Sequence, residues 1–236
     1  MYALERYSTI WSGVVAVGGS YQQVEGIWSV PQVSGSPHNS DASAWVGLGG
    51  DGQDGGCTSS DWLVQAGVDE LIDVNGRLSK YAWIYDYYCL DANQSYFINI
   101  SDVYGWYPNY GDTIDADVSS NFDCAGKPYY YIGDATNGQY FGECEYWPPA
   151  NGTTAEWIVE KAQPYLANFG NLEFSNDDVT RGGTFYFIGQ LPANLLYSKR
   201  LYSAPPPSGV SLAYPSPIHD GTYFWIHCSM TPCQST

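Results

Sequence analysis

The sequence predicts an all-β fold, and three observations lead to that prediction. Aromatic residues make up 17% of the chain, with 22 Tyr and 9 Trp, and such side chains favour pleated, half-buried strands. Short alternating or apolar runs recur, separated by turn signals such as Gly-Gly-Asp-Gly at 49–52 and Asp-Gly at 220–221. No repeat of the length typical of solenoids or propellers is evident. These features indicate a β-sandwich or a β-barrel.

Ten runs have the length and composition of strands, and two further segments need separate interpretation. Residues 154–166 could form a strand or a short amphipathic helix with Glu156 and Glu160 one turn apart, and Pro164 would end either element. We interpret the Pro-rich stretch 203–209 as a loop before the last strand or two, because the roughly 27 residues that follow are too few for a separate domain. The predicted strands are 23–30, 44–48, 62–74, 78–90, 95–100, 113–118, 129–132, 172–174, 184–188 and 223–228.

The charge balance excludes some partners. The chain has 25 acidic and 8 basic side chains, a formal net charge of -17, so no basic surface is available for nucleic acid or for an anionic membrane. With so few cations, few carboxylates can depend on ion pairs, and such a protein loses little stability on acidification. The composition therefore suits low pH, although an acidic solubilising surface would explain it equally well.

The six cysteines favour disulfides in an oxidising compartment, because they contain no Cys-x-x-Cys and the three His residues lack zinc-finger spacing. No metal or other cofactor is expected. Six cysteines allow fifteen connectivities, and Cys228 with Cys233 would close a small local loop. The N-terminus lacks a signal-peptide pattern, so the chain is either cytosolic or the mature form of a precursor, with Met1 added for expression. The cysteines favour the second alternative.

Several catalytic motifs are missing from the sequence. It contains no Gly-x-Ser-x-Gly, His-Glu-x-x-His, Asp-Thr-Gly or Asp-Ser-Gly. What remains are polar side chains in apolar, aromatic-rich runs: Gln65 in WLVQAG and Glu160 at the end of AEWIVE. Each has a simpler explanation, since Gln65 could be a hydrogen-bonded core amide and Glu160 a surface carboxylate.

At these residues the chain resembles the glutamic peptidases, also called eqolisins. The segment LVQAGVD is similar to the one that holds the family's catalytic Gln, here Gln65, and AEWIVE to the one that holds its catalytic Glu, here Glu160. Three positions depart from the family pattern, because Gly49, Tyr81 and Tyr85 stand where carboxylates are usual, with Asp51 and Asp86 close by. The other similar segments, in order, are WSGVVAVGG, VEGIWSVPQV, SAWVGLGGDG, YAWIYDYY, GDTIDADVS, LANFGNLEF and DGTYFWIHC.

The resemblance implies one catalytic domain over residues 1–236, folded as a lectin-like antiparallel β-sandwich of two bent sheets, with 154–160 as a strand. It implies a monomeric endopeptidase that acts on proteins or peptides, is insensitive to pepstatin, and is secreted from a precursor with signal and propeptide. Gln65 and Glu160 would be catalytic, and the substrate would lie against Trp45, Trp83, Tyr87 and Asp51.

In the implied mechanism, Glu160 acts as general base on water and Gln65 stabilises the oxyanion. Activity is then expected near the ordinary carboxyl pKa of about 4.3 or below. Two alternatives stay open: a glycoside hydrolase that uses two carboxylates, for which Glu156 and Glu160 are candidates, and a lectin-like module that binds carbohydrate.

Overall fold

Strands dominate the computed structural model, which describes residues 2, 4–33, 36–51, 62–88, 95–120, 124–145 and 152–229. One short α-helix, α1, spans Ile100–Tyr104, and two 3-10 turns span Ile188–Gln190 and Ala193–Leu195. The strands are β1 Leu4–Ser8, β2 Trp11–Val17, β3 Tyr21–Ser29, β4 Ser40–Leu48, β5 Trp62–Ile72, β6 Leu78–Tyr88, β7 Ser95–Asn99, β8 Thr113–Ser119, β9 Tyr129–Asp134, β10 Gln139–Cys144, β11 Thr154–Glu160, β12 Tyr165–Leu166, β13 Asn171–Arg181, β14 Thr184–Phe187, β15 Leu196–Tyr202, β16 Ser211–Pro215 and β17 Tyr223–Cys228.

The strands form two layers. The first layer runs in the order β1, β15, β2, β11, β4, β5, β6 and β7, and the second in the order β10, β9, β8, β3, β13 and β17. The pairings are antiparallel apart from β1 with β15 and β12 with β4. Strand β16 pairs with β15 on one side and β17 on the other, so the layers belong to one continuous but unclosed sheet. The predicted all-β sandwich is confirmed.

A large apolar core lies between the layers. Side chains alternate along each strand, so Trp157 and Val159 of β11 face this core while Ile158 faces the opposite side. The layers are also tied by polar contacts: the Trp157 indole donates to the Glu25 carbonyl at 2.8 Å, and Tyr130 of β9 donates to the buried carboxyl of Asp86 on β6. The largest fully buried core side chains include Trp28, Tyr21, Phe174 and Phe224.

All ten predicted strands overlap observed ones, with the end of the fourth, residues 89–90, outside the described residues. Segment 154–166 is a strand in its first half, as the resemblance implied, and 203–209 is a loop before the last two strands. The prediction missed β1, β10, β12, β15 and β16, which are polar, short or interrupted by charge. It also missed α1, where the Asn99 side chain caps the backbone N–H of Asp102 at 3.0 Å and Gly105 ends the helix.

A disulfide between Cys124 and Cys144 ties the β9–β10 hairpin, and Cys228 is also disulfide-bonded. Cys233, suggested as its partner, lies outside the described residues, as do Cys57 and Cys89. Two ion pairs are formed among the described side chains, Lys199 with Asp51 and Arg200 with Glu5. Within the described part of the chain, no helix has the length and apolar content needed to cross a membrane.

Several carboxyl groups are buried, and their desolvation opposes ionisation more strongly than any nearby cation favours it. Burial raises the pKa of Glu70 to about 9, and those of Asp86 and Asp178 to about 8. Burial likewise raises the pKa of Asp177 well above its usual range. Asp178 also lies directly across from Glu25, a like-charge pair that opposes ionisation further. These groups are therefore neutral in the folded protein at acidic pH.

We predict that the free energy of unfolding is greatest near pH 4 and falls as the pH rises. A carboxyl whose folded pKa exceeds its unfolded value of about 4 holds its proton in the native state between the two values. Its stabilisation is complete below the unfolded pKa and is lost as pH rises through the folded pKa, here about 8 to 9. Thermal unfolding followed by circular dichroism at pH 4, 6 and 8 measures this trend.

A pair of variants sharpens the measurement. Asp178→Asn removes one of the ionising groups and should flatten the decline between pH 4 and pH 8. The exposed control Asp220→Asn should leave the decline unchanged. An unfolding midpoint that rises from pH 4 to pH 8 would contradict the prediction.

Candidate active site

The pairing of β11, β4 and β5 brings Gln65 and Glu160 to the same face of the first layer. Glu160 lies opposite Ser43 of β4, which in turn lies opposite Asp69 of β5. Gln65 precedes Asp69 by four positions on the same strand, and side chains alternate with a period of two, so both point to the side that Glu160 occupies. This face is turned away from the core between the layers.

A cavity of about 650 Å³ opens on this face. Its polar lining includes Asp41, Ser43, Gln65, Asp69 and Glu160, and its aromatic lining includes Trp11, Tyr81, Trp83, Tyr85, Tyr87 and Phe97. A concave site with aromatic walls and a few convergent polar groups is the usual form of a substrate site.

The aromatic floor of the site depends on one glycine. Trp45, Gly67 and Trp83 lie side by side on β4, β5 and β6. A Cβ atom at Gly67 would lie 2.6 Å from Trp45 Cβ and 3.0 Å from Trp83 Cζ2. Only glycine leaves room for the two indole rings on either side.

Gln65 has spare hydrogen-bonding capacity. The residue is 3% exposed, and its Nε2 is buried with no hydrogen-bond partner among the described residues. A core amide is normally paired, because an unsatisfied buried donor costs about 1–3 kcal/mol. Since Gln65 lines the cavity, its amide group is positioned to donate to a molecule bound there.

Glu160 is half-buried at the end of β11, and its carboxyl is held by an indole. Trp45 Nε1 donates to Glu160 Oε2 at 3.0 Å. Burial raises the pKa of Glu160 to about 7. The indole N–H groups of Trp11 and Trp45 oppose this effect, because they stabilise the ionised carboxylate and lower its pKa. The charge of Asp69 raises the pKa further, and that of Lys199 lowers it.

Two more carboxyls complete an acidic cluster in the cavity. Tyr81 donates to Asp69 Oδ2 at 2.6 Å, and Asp41 accepts the backbone N–H groups of Ala162 at 3.0 Å and Gln163 at 2.9 Å. Burial raises the pKa of Asp69 to about 6 and that of Asp41 to about 7, the latter with a contribution from the charge of Asp69. Carboxyls this close titrate as a group rather than singly.

The side chains predicted to bind substrate lie in two places. Trp83 and Tyr87 line the cavity. Trp45 is fully buried beneath it, where it donates to Glu160. Asp51 forms a buried ion pair with Lys199 and is not among the lining residues.

Two of the three positions at which the sequence departs from the expected family pattern lie in the cavity wall. Tyr81 and Tyr85 both line the cavity, and Tyr81 binds Asp69. Asp86, next to Tyr85, does not take over a role in the cavity, because alternation turns it to the other face, where Tyr130 binds it. The cavity wall on β6 is therefore aromatic rather than acidic.

Sequence reasoning missed Ser43 and Phe97 of the cavity lining, and it missed the four groups around Glu160: Trp11, Asp41, Asp69 and Lys199. The same-face spacing of Gln65 and Asp69 could have identified Asp69, because both lie in one predicted strand. The other three depend on which strands pair and in what register, which no local pattern indicates.

The arrangement bears on the alternatives from the sequence. Glu156 is fully buried and does not line the cavity, so it cannot serve with Glu160 as the carboxylate pair of a glycoside hydrolase. Among the described residues, no three His, Cys, Asp or Glu side chains are placed to hold a metal ion.

Comparison with known proteins identifies a peptidase family. The Peptidase A4 family matches residues 9–191. Aspergillopepsin-2 from Aspergillus niger is 30% identical over 209 residues, covering 76% of this chain and 67% of the relative.

Solved structures agree on the fold. A scytalido-glutamic peptidase with a transition state analog inhibitor has a TM-score of 0.68 at 21% identity, over 93% of this chain and 98% of that one. SCP-B, an eqolisin in complex with the tripeptide Ala-Ile-His, has a TM-score of 0.66 at 19% identity, with the same coverage. The family match spans most of the chain, so this protein belongs to the Peptidase A4 family, the glutamic peptidases or eqolisins, and is an endopeptidase.

Proposed function

We propose that this protein cleaves peptide bonds under acidic conditions by direct attack of water, with Glu160 and Gln65 as the catalytic pair. One observation carries the proposal: a buried amide nitrogen without a partner among the described residues lines the same cavity as a carboxyl of raised pKa. Perturbed carboxyls in clefts are typical of catalytic sites.

The steps follow from the chemistry of the two groups. Ionised Glu160 takes a proton from water as the water oxygen attacks the scissile carbonyl carbon. The Gln65 amide donates to the oxyanion that forms on the carbonyl oxygen, and this donor does not titrate. Glu160 then passes the proton to the amine as the C–N bond breaks, so no bond to the protein is formed.

The surrounding residues would orient the base. The Trp45 indole donates to one oxygen of Glu160 at 3.0 Å and holds the carboxyl at the cavity. Asp69 and Asp41 add negative charge near Glu160, which keeps its proton affinity high enough to take a proton from water.

An aromatic wall would hold the substrate chain. Phe97 of β7 packs against Tyr81, Trp83 and Tyr85 with ring centroids 6.2–6.4 Å apart, yet 51% of its surface stays exposed. Flat apolar rings of this kind suit the side chains of an extended peptide and exclude water from the reacting bond.

We further propose that the protein is a secreted monomer with one catalytic domain and no cofactor, made as a precursor and insensitive to pepstatin. The Cys124–Cys144 disulfide supports an oxidising compartment. Cleavage of denatured protein that resists both chelator and pepstatin is the corresponding assay, and release of sugar from polysaccharide without proteolysis would overturn the assignment.

We predict that Glu160→Gln abolishes cleavage and that Gln65→Ala lowers kcat by at least about 100-fold, the usual effect of losing one oxyanion donor. Circular dichroism should show both variants folded. The matched controls Glu143→Gln and Gln139→Ala, both exposed on β10, should retain normal turnover. Near-normal turnover in either cavity variant would refute the assigned pair.

We predict that kcat/KM rises with pH through the acidic range up to about neutral pH and declines above about pH 8. The base must be ionised, and its pKa of about 7 lies above the 4.3 expected from an ordinary Glu. The decline follows from ionisation of the core carboxyls. Asp69→Asn removes a like charge beside Glu160, so the ascending limb of kcat/KM against pH should move to lower pH in this variant. A shift of that limb to higher pH would contradict the electrostatic argument.

We predict that Phe97→Ala raises KM for substrates with aromatic or long aliphatic side chains by roughly 10-fold, about 1.4 kcal/mol of lost apolar contact, with little change in kcat. Phe185→Ala is the matched control, because Phe185 is similarly exposed on β14, away from the cavity. Equal effects on KM in both variants would remove Phe97 from the substrate site.

A further inference from the structure

A buried ion pair lies next to the proposed catalytic centre. Lys199 of β15 and Asp51 contact each other, and both side chains are 1% exposed. Lys199 is the one Lys or Arg side chain that is buried among the described residues. A buried charge pair costs desolvation energy that packing apolar groups would avoid, so its presence beside an active site calls for a functional explanation.

The neighbouring strand directs the Lys199 side chain toward the cavity. Lys199 lies opposite Gly13 of β2, on the face that carries Ile158 and Trp45. The Nζ atom of Lys199 lies 4.5 Å from the ring centroid of Trp11 on β2. This is a cation–π contact with a ring that lines the cavity.

Trp11 lies between Lys199 and Glu160. It is the cross-strand neighbour of Glu160, and its ring meets that of Trp45 edge to face, with centroids 5.1 Å apart. Trp45 in turn donates to Glu160. Lys199 therefore contacts Trp11 directly and, through Trp11, supports Trp45, the indole that donates to the Glu160 carboxyl.

The charges that face Glu160 come from several strands. Asp41 of β4 and Asp69 of β5 are acidic, and Tyr85 of β6 is a neutral phenol nearby. Lys199 supplies the opposing positive charge. Its own partner Asp51 reduces that positive charge, so the two members of the pair act on Glu160 in opposite senses.

We propose that Lys199 and Asp51 are positioning residues for the catalytic centre: Lys199 holds Trp11 against Glu160, and Asp51 limits the positive charge that Glu160 experiences. The inference rests on the proposed role of Glu160 as the base. It predicts that removing each member of the pair changes the pH dependence of catalysis in opposite directions.

The test uses the full chain with Lys199→Met, Asp51→Asn and the double variant, measuring kcat and KM on a peptide substrate as a function of pH. Lys199→Met should move the ascending limb of kcat/KM to higher pH by roughly one unit, and Asp51→Asn should move it to lower pH by a similar amount. The double variant should return close to wild type. Lys199→Arg, which keeps the cation, covers the case in which Lys199→Met fails to fold and should leave the limb in place.

The outcomes separate this inference from the proposed function. A merely structural pair would lower kcat at every pH without moving the limb, or would move it in the same direction in both variants, and either result overturns the inference. If Glu160→Gln retains turnover, the proposed function itself fails. If Glu160→Gln is inactive and the ascending limb of kcat/KM does not move in opposite directions in Lys199→Met and Asp51→Asn, only the positioning role of the pair is refuted.

Discussion

The register between β11, β4 and β5 is the constraint on which the site depends. It sets Glu160, Ser43 and Asp69 in one row across three strands, and alternation along β5 then points Gln65 to the same side. A slip of one residue in either pairing would turn one member of the pair into the apolar core. The large core between the layers holds this register, because Trp157 and Val159 must face inward. Packing that stabilises the fold therefore also orients the proposed catalytic groups.

The same burial that supports the fold also gives its carboxyls their unusual chemistry. Burial raises the pKa of Glu70, Asp86 and Asp177, and it raises the pKa of Glu160 at the cavity in the same way. In the core this is expected to favour the folded state at acidic pH, and at the cavity it gives Glu160 the raised pKa on which its proposed role as general base rests. Conditions that suit the enzyme's chemistry and conditions that suit its stability are thus linked by one physical cause, desolvation of acids.

Much of the fold could be predicted from the sequence because its evidence is local. Alternating apolar runs identified strands such as Trp62–Ile72 and Tyr223–Cys228, and motif order indicated the family and the candidate pair. Strands β1 and β15 were missed, since β1 is largely exposed and β15 carries Lys199 and Arg200 in its middle. Asp41, Trp11 and Lys199 could not be predicted as parts of the site, because their positions depend on long-range pairing. The placement of Asp51 with Lys199 rather than in the cavity is of the same kind.

The continuity of the sheet through β16 determines where the molecule can deform. Because β16 is hydrogen-bonded to β15 and to β17, the layers cannot separate on that side without breaking main-chain bonds. On the opposite side, β7 is paired with β6 alone among the described strands, and it carries the exposed ring of Phe97. The two layers are therefore joined by hydrogen bonds along one edge of the sandwich, and the outer edge, at β6 and β7, is unpaired among the described strands. A bulky polypeptide that needs a wider groove would therefore displace the edge strands β6 and β7. Glu160, at the end of β11, lies closer to the edge that β16 joins and would keep its position.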